Sequence, residues 1–156
     1  GQDKDFSDAQ IVKTVRAIQD AGINVIANYM FGLEGDTLES MRRTLDLALE
    51  LRTAWANFYP TMIYPGSRLY ADAIKAGCPV PEPWAAYAPL GYECVPYAPE
   101  GLTPAEVLRF RDMAFLRYFG DPEYLAMIQG KFGQAAVTDI LEMVAAGPPK
   151  RKILGS

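Results

Sequence analysis

The 156-residue sequence contains no histidine and only two cysteines, Cys78 and Cys94. Histidine is the most common acid–base group and metal ligand in proteins, so its absence removes the usual centre of both kinds of site. Two cysteines so far apart cannot supply the four ligands of a structural zinc ion. The sequence therefore predicts no catalytic residue and no metal site within this chain.

The sequence also has no excess of positive charge and no long apolar run. Its net charge is −4, which argues against a nucleic-acid partner. No apolar stretch approaches the roughly 20 residues of a membrane span, and no signal peptide opens the chain, so no membrane partner is expected. The scarcity of cysteine favours a reducing, cytoplasmic location. Half of the residues are hydrophobic, which is enough to form a folded core.

Residues 23–70 carry the most specific pattern in the chain. Their sequence predicts strand, loop, helix, strand, loop and helix, which is the repeating unit of a parallel α/β sheet or barrel. The predicted strands are Ile23–Phe31 and Trp55–Ile63. A helix over 7–21, capped by Ser7 and Gln10, leads directly into the first strand. A βα repeat normally has its own preceding strand, so we expect the chain to begin within a domain.

The first strand places two side chains at the edge where parallel α/β proteins bind ligands. It is nearly continuous in apolar residues, as expected of a strand covered on both faces. Alternation puts Asn28 and Met30 on the same face as Ile26, at the carboxyl end of the strand. We expect the Asn28 amide to have a hydrogen-bonding partner, because a buried amide without one is costly. Residue type alone favours a structural role for Asn28.

The loop that follows, Gly32-Leu33-Glu34-Gly35-Asp36-Thr37, is a glycine-rich turn. It is not followed by Gly-Lys-Ser/Thr, and its glycine spacing differs from a dinucleotide fingerprint. Gly32 and Gly35 can adopt positive φ and let the backbone approach a ligand closely. Asp36 or Thr37 is expected to cap the next helix, with Glu39 as the reciprocal partner of Asp36.

Two motifs in order resemble a known family. The segment Phe31-Gly-Leu-Glu-Gly-Asp-Thr37 resembles the glycine-rich loop of radical S-adenosylmethionine (SAM) enzymes, with Glu34 where the family usually has proline. After one amphipathic helix, Tyr64-Pro-Gly-Ser-Arg-Leu-Tyr70 resembles the Tyr-Pro-Gly-Thr-x-Leu-Tyr turn of the same family. Together they resemble the cobalamin-binding subgroup, the iron–sulfur oxidoreductases that include the anaerobic magnesium-protoporphyrin cyclase. The resemblance is clearest over 7–77.

This resemblance implies a site and a set of cofactors. Asn28 and Met30 would meet the ribose and adenine of SAM, Met62 would touch the adenine, and Gly32 would belong to the same site. A 4Fe-4S cluster and, in this subgroup, cobalamin would complete the parent protein. The family's Cys-x-x-x-Cys-x-x-Cys motif is absent. The resemblance therefore implies the second half of such a catalytic domain, inactive alone, with no cofactor tightly bound and the missing N-terminal half as its partner.

The predicted organisation has four segments. Residues 1–77 are the second half of a partial (β/α) barrel, and 78–102 are an irregular connector rich in proline and tyrosine. Residues 103–149 form a mostly helical extension, opened by Thr103-Pro104-Ala105-Glu106, and 150–156 form a short basic tail. The connector is either a lid over a substrate or a packed connection, and its composition favours the second.

Two expectations concern partners. A sheet with only two barrel strands leaves open edges and an open face carrying Ile26 and Met30, which favours a homo-oligomer through that face or those edges. Alternatively, residues 78–101 fold back and cover that face within one chain. For function, the alternative to an enzyme fragment is a non-catalytic helical interaction module on an α/β scaffold.

Overall fold

A computed structural model describes residues 6–155 and contains both helices and strands. Within that range, six α-helices and two short 3₁₀ turns accompany one two-stranded sheet. In chain order the elements are α1 (Asp8–Asp20), β1 (Ile26–Phe31), α2 (Leu38–Leu51), β2 (Trp55–Pro60), α3 (Arg68–Lys75), a 3₁₀ turn (Trp84–Tyr87), α4 (Pro104–Phe119), α5 (Pro122–Phe132), α6 (Gln134–Ala146) and a second 3₁₀ turn (Lys152–Leu154).

Local capping decides where the helices begin. Ser7 and Gln10 form the predicted reciprocal cap of α1, and Thr103 caps α4 together with the side chain three residues later. The prediction for α2 is wrong in one respect. Thr37 is its cap and Ser40 is the reciprocal partner, while Glu39 lies on the surface beside another helical side chain. Thr37 has the extended backbone that a cap requires, so its hydroxyl meets the helix and the Asp36 carboxylate turns back to the loop.

The sheet pairs β1 and β2 in parallel, which confirms the predicted helix–strand order of a parallel α/β unit. Ile26 lies opposite Trp55 and Phe31 lies opposite Pro60. Both strands are shorter than predicted. The paired residues run only from Ile26 opposite Trp55 to Phe31 opposite Pro60, although the Thr61 N–H still donates to the Phe31 carbonyl at 2.8 Å. Two strands do not close a barrel, so the larger barrel stays a prediction.

The helices cover one face of this sheet. Tyr29, Phe31 and Phe58 are buried there, and the Phe31 ring meets Phe110 of α4 edge-on with 5.0 Å between the ring centroids. Although the apolar run of β1 is typical of a strand covered on both faces, β1 is covered on one face only in the described part of this chain, and the face carrying Ile26 and Met30 is open, as expected for a sheet of two strands. The opposite face is open within residues 6–155, because α2 and α4 both pack on the side of the aromatic residues.

The C-terminal helices complete the core. Tyr118 of α4 and Tyr124 of α5 are fully buried, and both donate to carbonyl groups of the loop that leads into β2. Val137 and Ile140 of α6 belong to the same hydrophobic cluster as the sheet aromatics. The predicted helical extension is therefore packed onto the strand–helix unit as part of one core.

The connector over 78–102 is a packed connection rather than a loose loop. Tyr97 donates its backbone N–H to Thr61 beyond β2, with 2.8 Å between nitrogen and oxygen. Arg151 is fully buried and donates to the Leu90 carbonyl at 2.8 Å, so the predicted basic tail also packs against the connector. The alternative that this segment covers the open sheet face is wrong, because Ile26 remains 64% exposed.

In the described part of the chain, no helix combines the length and the apolar character needed to cross a membrane.

Candidate functional site

Asn28 and Met30 lie where the sequence predicts them. Both side chains project from the exposed face of β1, on the same side as Ile26 and away from the covering helices. Met30 is 44% exposed, and its position opposite Tyr59 places it at the carboxyl end of the sheet. This face therefore presents an amide and a thioether side chain to the surroundings at the edge where parallel sheets usually bind ligands.

The predicted hydrogen-bonding partner of Asn28 is present on the neighbouring strand. Asn57 lies directly opposite in the register, and its Nδ2 donates to Oδ1 of Asn28 at 2.9 Å. The indole Nε1 of Trp55 in turn donates to Oδ1 of Asn57 at 3.1 Å. These bonds fix the orientation of both amides on the open face, so the Asn28 oxygen is directed toward β2.

The glycine-rich loop is held by its own aspartate. One carboxylate oxygen of Asp36 accepts from the backbone N–H groups of Gly32 and Leu33, at 3.0 and 2.9 Å, and the other accepts from Ser40 Oγ at 2.6 Å. The Gly32 N–H is therefore already used within the loop. The sequence prediction offered Asp36 as one of two candidate helix caps and did not anticipate this closure.

Gly32 is buried and adopts the left-handed conformation that its position requires, with φ of +80°. A Cβ at this position would lie 2.9 Å from a methyl group of Val107 and 3.3 Å from the Tyr97 carbonyl oxygen. The absence of a side chain here is thus explained by close packing against α4 and the connector. The structure places Gly32 beside the carboxyl end of β1 without exposing it.

Met62 is not brought together with Asn28 and Met30. It is 6% exposed and packs in a small cluster with Cys94 and Leu108, and the Cys94 thiol donates to its sulfur at 3.9 Å. Burial raises the pKa of the Cys94 thiol, which therefore stays protonated as a donor. In this arrangement Met62 offers no surface to a ligand.

An open groove of about 660 Å³ lies at the carboxyl ends of both strands and was missed by sequence reasoning. Its walls come from the loop after β1, from α3 and from the connector, and include Glu34, Thr61, Arg68, Cys78 and Tyr97. These residues are distant in sequence and share no motif. The only available signal was that loops following parallel strands gather at one end of a sheet.

The groove has mixed polarity. Burial raises the pKa of the Tyr97 phenol, and the nearby Glu34 carboxylate raises it further. The Thr61 hydroxyl is buried and makes no hydrogen bond within residues 6–155. Cys78 supplies an exposed thiol. Across the described ranges, no three His, Cys, Asp or Glu side chains are grouped so that they could hold a metal ion.

No protein-family model matches the chain, and no curated protein is significantly similar to it in sequence.

Proposed function

We propose that this chain is part of the catalytic domain of a radical SAM enzyme, an iron–sulfur oxidoreductase or methyltransferase of the cobalamin-binding subgroup, and that it contributes part of the SAM site. One observation carries the proposal. The two family-like segments follow the carboxyl ends of adjacent parallel strands, and Asn28 and Met30 are exposed together at that end. This is the edge at which parallel α/β proteins bind ligands.

Two of the proposed residues fit a nucleoside. An amide such as that of Asn28 can bond to ribose hydroxyl groups, and Asn57 holds it in place from β2. Met30 offers an exposed apolar side chain against which adenine can pack. Gly32 contributes indirectly, through the tight loop that ends β1. Met62 would reach the adenine only after leaving its contact with Cys94.

The iron–sulfur cluster does not fit the residues of this chain. Such clusters are held by several cysteine thiolates, whereas this chain has only two cysteines, of which one is exposed and the other is buried. The proposal therefore assigns the 4Fe-4S cluster and cobalamin to the rest of the parent protein, which is the proposed partner, and expects the chain alone to be inactive. The unpaired state of both thiols supports the cytoplasm as the proposed location.

A specific observation keeps the interaction-module alternative in place. Several large apolar side chains of the C-terminal helices remain exposed, including Leu116 on α4, Phe132 on α5 and Leu141 on α6. Large exposed apolar surface is typical of docking sites. In that case the sheet is a scaffold, and nucleosides do not bind it.

Titration of the isotope-labelled chain with S-adenosylhomocysteine, followed by NMR, tests the proposal. The unreactive analogue should shift the Asn28 side-chain amide and the Met30 methyl signals saturably, with a dissociation constant of about 1 mM for an incomplete site. Asn28→Ala should abolish the shift of the Met30 methyl signal, while Thr138→Ala on exposed α6 should preserve the shifts of both signals. Shifts confined to the groove around Cys78 and Tyr97, or none at all, would contradict it.

A further inference from the structure

The two outer edges of the sheet differ in their ability to accept another strand. Trp55 and Thr61 bond from β2 to β1, so the alternate residues of β2, including Phe58 and Pro60, direct their backbone groups outward. The Phe58 carbonyl accepts from Nε of Arg111 at 2.8 Å, and Pro60 has no N–H. The outer edge of β2 is therefore occupied by a buried side chain and interrupted by a proline.

The outer edge of β1 has no such protection. The carbonyls of Val25 and Phe31 face β2, so by the same alternation Ile26, Asn28 and Met30 direct their N–H and C=O groups away from the sheet. All three residues are exposed, and within residues 6–155 their backbone groups make no hydrogen bond to a helix, a loop or a side chain. Residues 23–33 contain no charged side chain and no proline, the devices that commonly block edge pairing.

The side chains along this edge are complementary to themselves. If two copies of β1 run antiparallel about a twofold axis at Asn28, Ile26 lies opposite the partner's Met30 and Asn28 lies opposite the partner's Asn28. Apolar side chains then face apolar side chains, and amides face amides. On the covered face, Ala27 lies opposite the partner's Tyr29, a small residue against a large one.

We propose that a second copy of this chain pairs antiparallel with β1 in this register and forms a four-stranded sheet across two protomers. The three outward-facing residues of each copy form about six inter-strand hydrogen bonds. The pairing also extends a two-stranded sheet, which is marginal by itself, beyond the three strands that confer independent stability. The dimer is a property of this 156-residue chain and does not rest on the proposed function.

Cysteine cross-linking tests the register. In a Cys78→Ser background, Asn28→Cys should form a disulfide-linked dimer under mild oxidation, because a directly opposed hydrogen-bonded pair has a Cα separation of about 5.5 Å. Ile26→Cys on the same strand and face is the matched control. Its symmetry mate lies four residues along the strand, roughly 13 Å away, and should not cross-link.

Dilution series by sedimentation velocity test the backbone pairing. Asn28→Pro and Asn28→Ala both remove the side-chain amide and its bond to Asn57, but only proline removes the outward backbone N–H, and neither variant loses a backbone hydrogen bond between β1 and β2. The proline should raise the dimer dissociation constant roughly ten- to a hundredfold relative to the alanine, since two symmetric bonds disappear. Circular dichroism verifies that both variants fold.

Three results overturn the proposal. The first is a monomer at every concentration, which would leave the β1 edge to a strand of another protein. The second is equal cross-linking of Asn28→Cys and Ile26→Cys. The third is equal dissociation constants for folded Asn28→Pro and Asn28→Ala.

Discussion

Replacing Gly32 with alanine distinguishes two reasons for a glycine at the end of β1, its positive φ and its close packing against neighbouring atoms. Gly32 and Gly35 have almost the same positive φ, +80° and +81°, so alanine is strained by about 1–2 kcal/mol at either position. Around Gly35 no atom lies within 4 Å of the added Cβ, whereas at Gly32 it would approach Val107 at 2.9 Å and the Tyr97 carbonyl at 3.3 Å. Val107 is β-branched and helical, so its methyl groups rotate away only at a cost.

The expected result is a difference between the two variants. Gly32→Ala should lower the free energy of unfolding by roughly 2–5 kcal/mol, which includes about 1–3 kcal/mol of overpacking that Gly35→Ala lacks. Urea unfolding followed by circular dichroism measures both values. Adding Val107→Ala should make the double variant less destabilised than the sum of its single variants, because the contact is relieved. Equal destabilisation by Gly32→Ala and Gly35→Ala would refute this explanation of the loop.

Three further predictions concern buried polar groups. Arg111→Met should lower the free energy of unfolding by about 3–5 kcal/mol, because it leaves a buried carboxylate and a carbonyl of β2 without their hydrogen-bond donor. Exposed Arg117→Met on the same helix is the control and should cost little in the same urea titration. Burial raises the pKa of the Tyr118 phenol from 10.0 to about 12, so the folded chain keeps this proton longer. The contribution of Tyr118 to the free energy of unfolding is constant below about pH 10 and should fall by up to about 3 kcal/mol toward pH 12. A Tyr118→Phe variant with an equally steep alkaline loss would contradict this. A thiol reagent should modify exposed Cys78 rapidly and Cys94 only on unfolding, and comparable rates for the two thiols would show that the Met62 cluster is open.

The features predicted well are those set by neighbours in sequence. Ser7 with Gln10 and Thr103 with Glu106 are local caps, and each marks the first turn of a helix as predicted. The side of β1 on which Asn28 lies follows from strand alternation alone. For the candidate site, this alternation predicts the pair Asn28 and Met30 and no further member.

The features that sequence reasoning missed depend on residues far apart in the chain. Met62 is buried because Cys94 and Leu108 converge on it from the connector and from α4. Arg151 resembles part of a solvated basic tail in sequence, yet it is buried because carbonyls of the connector accept its guanidinium. Neither contact leaves a periodic pattern, so only the packed structure reveals them.

Arg111 and Pro60 block the outer edge of β2 and so limit how many strands this sheet can add. A sheet with two open edges can add chains at both ends without limit, which is how fibrils propagate. In the proposed dimer only the β1 edge accepts a strand, so one addition would use the only uninterrupted row of outward donors and acceptors on the sheet within residues 6–155. If a second copy of this chain docks there, the assembly should stop at the dimer, because one guanidinium and one proline block the outer β2 edge of each copy.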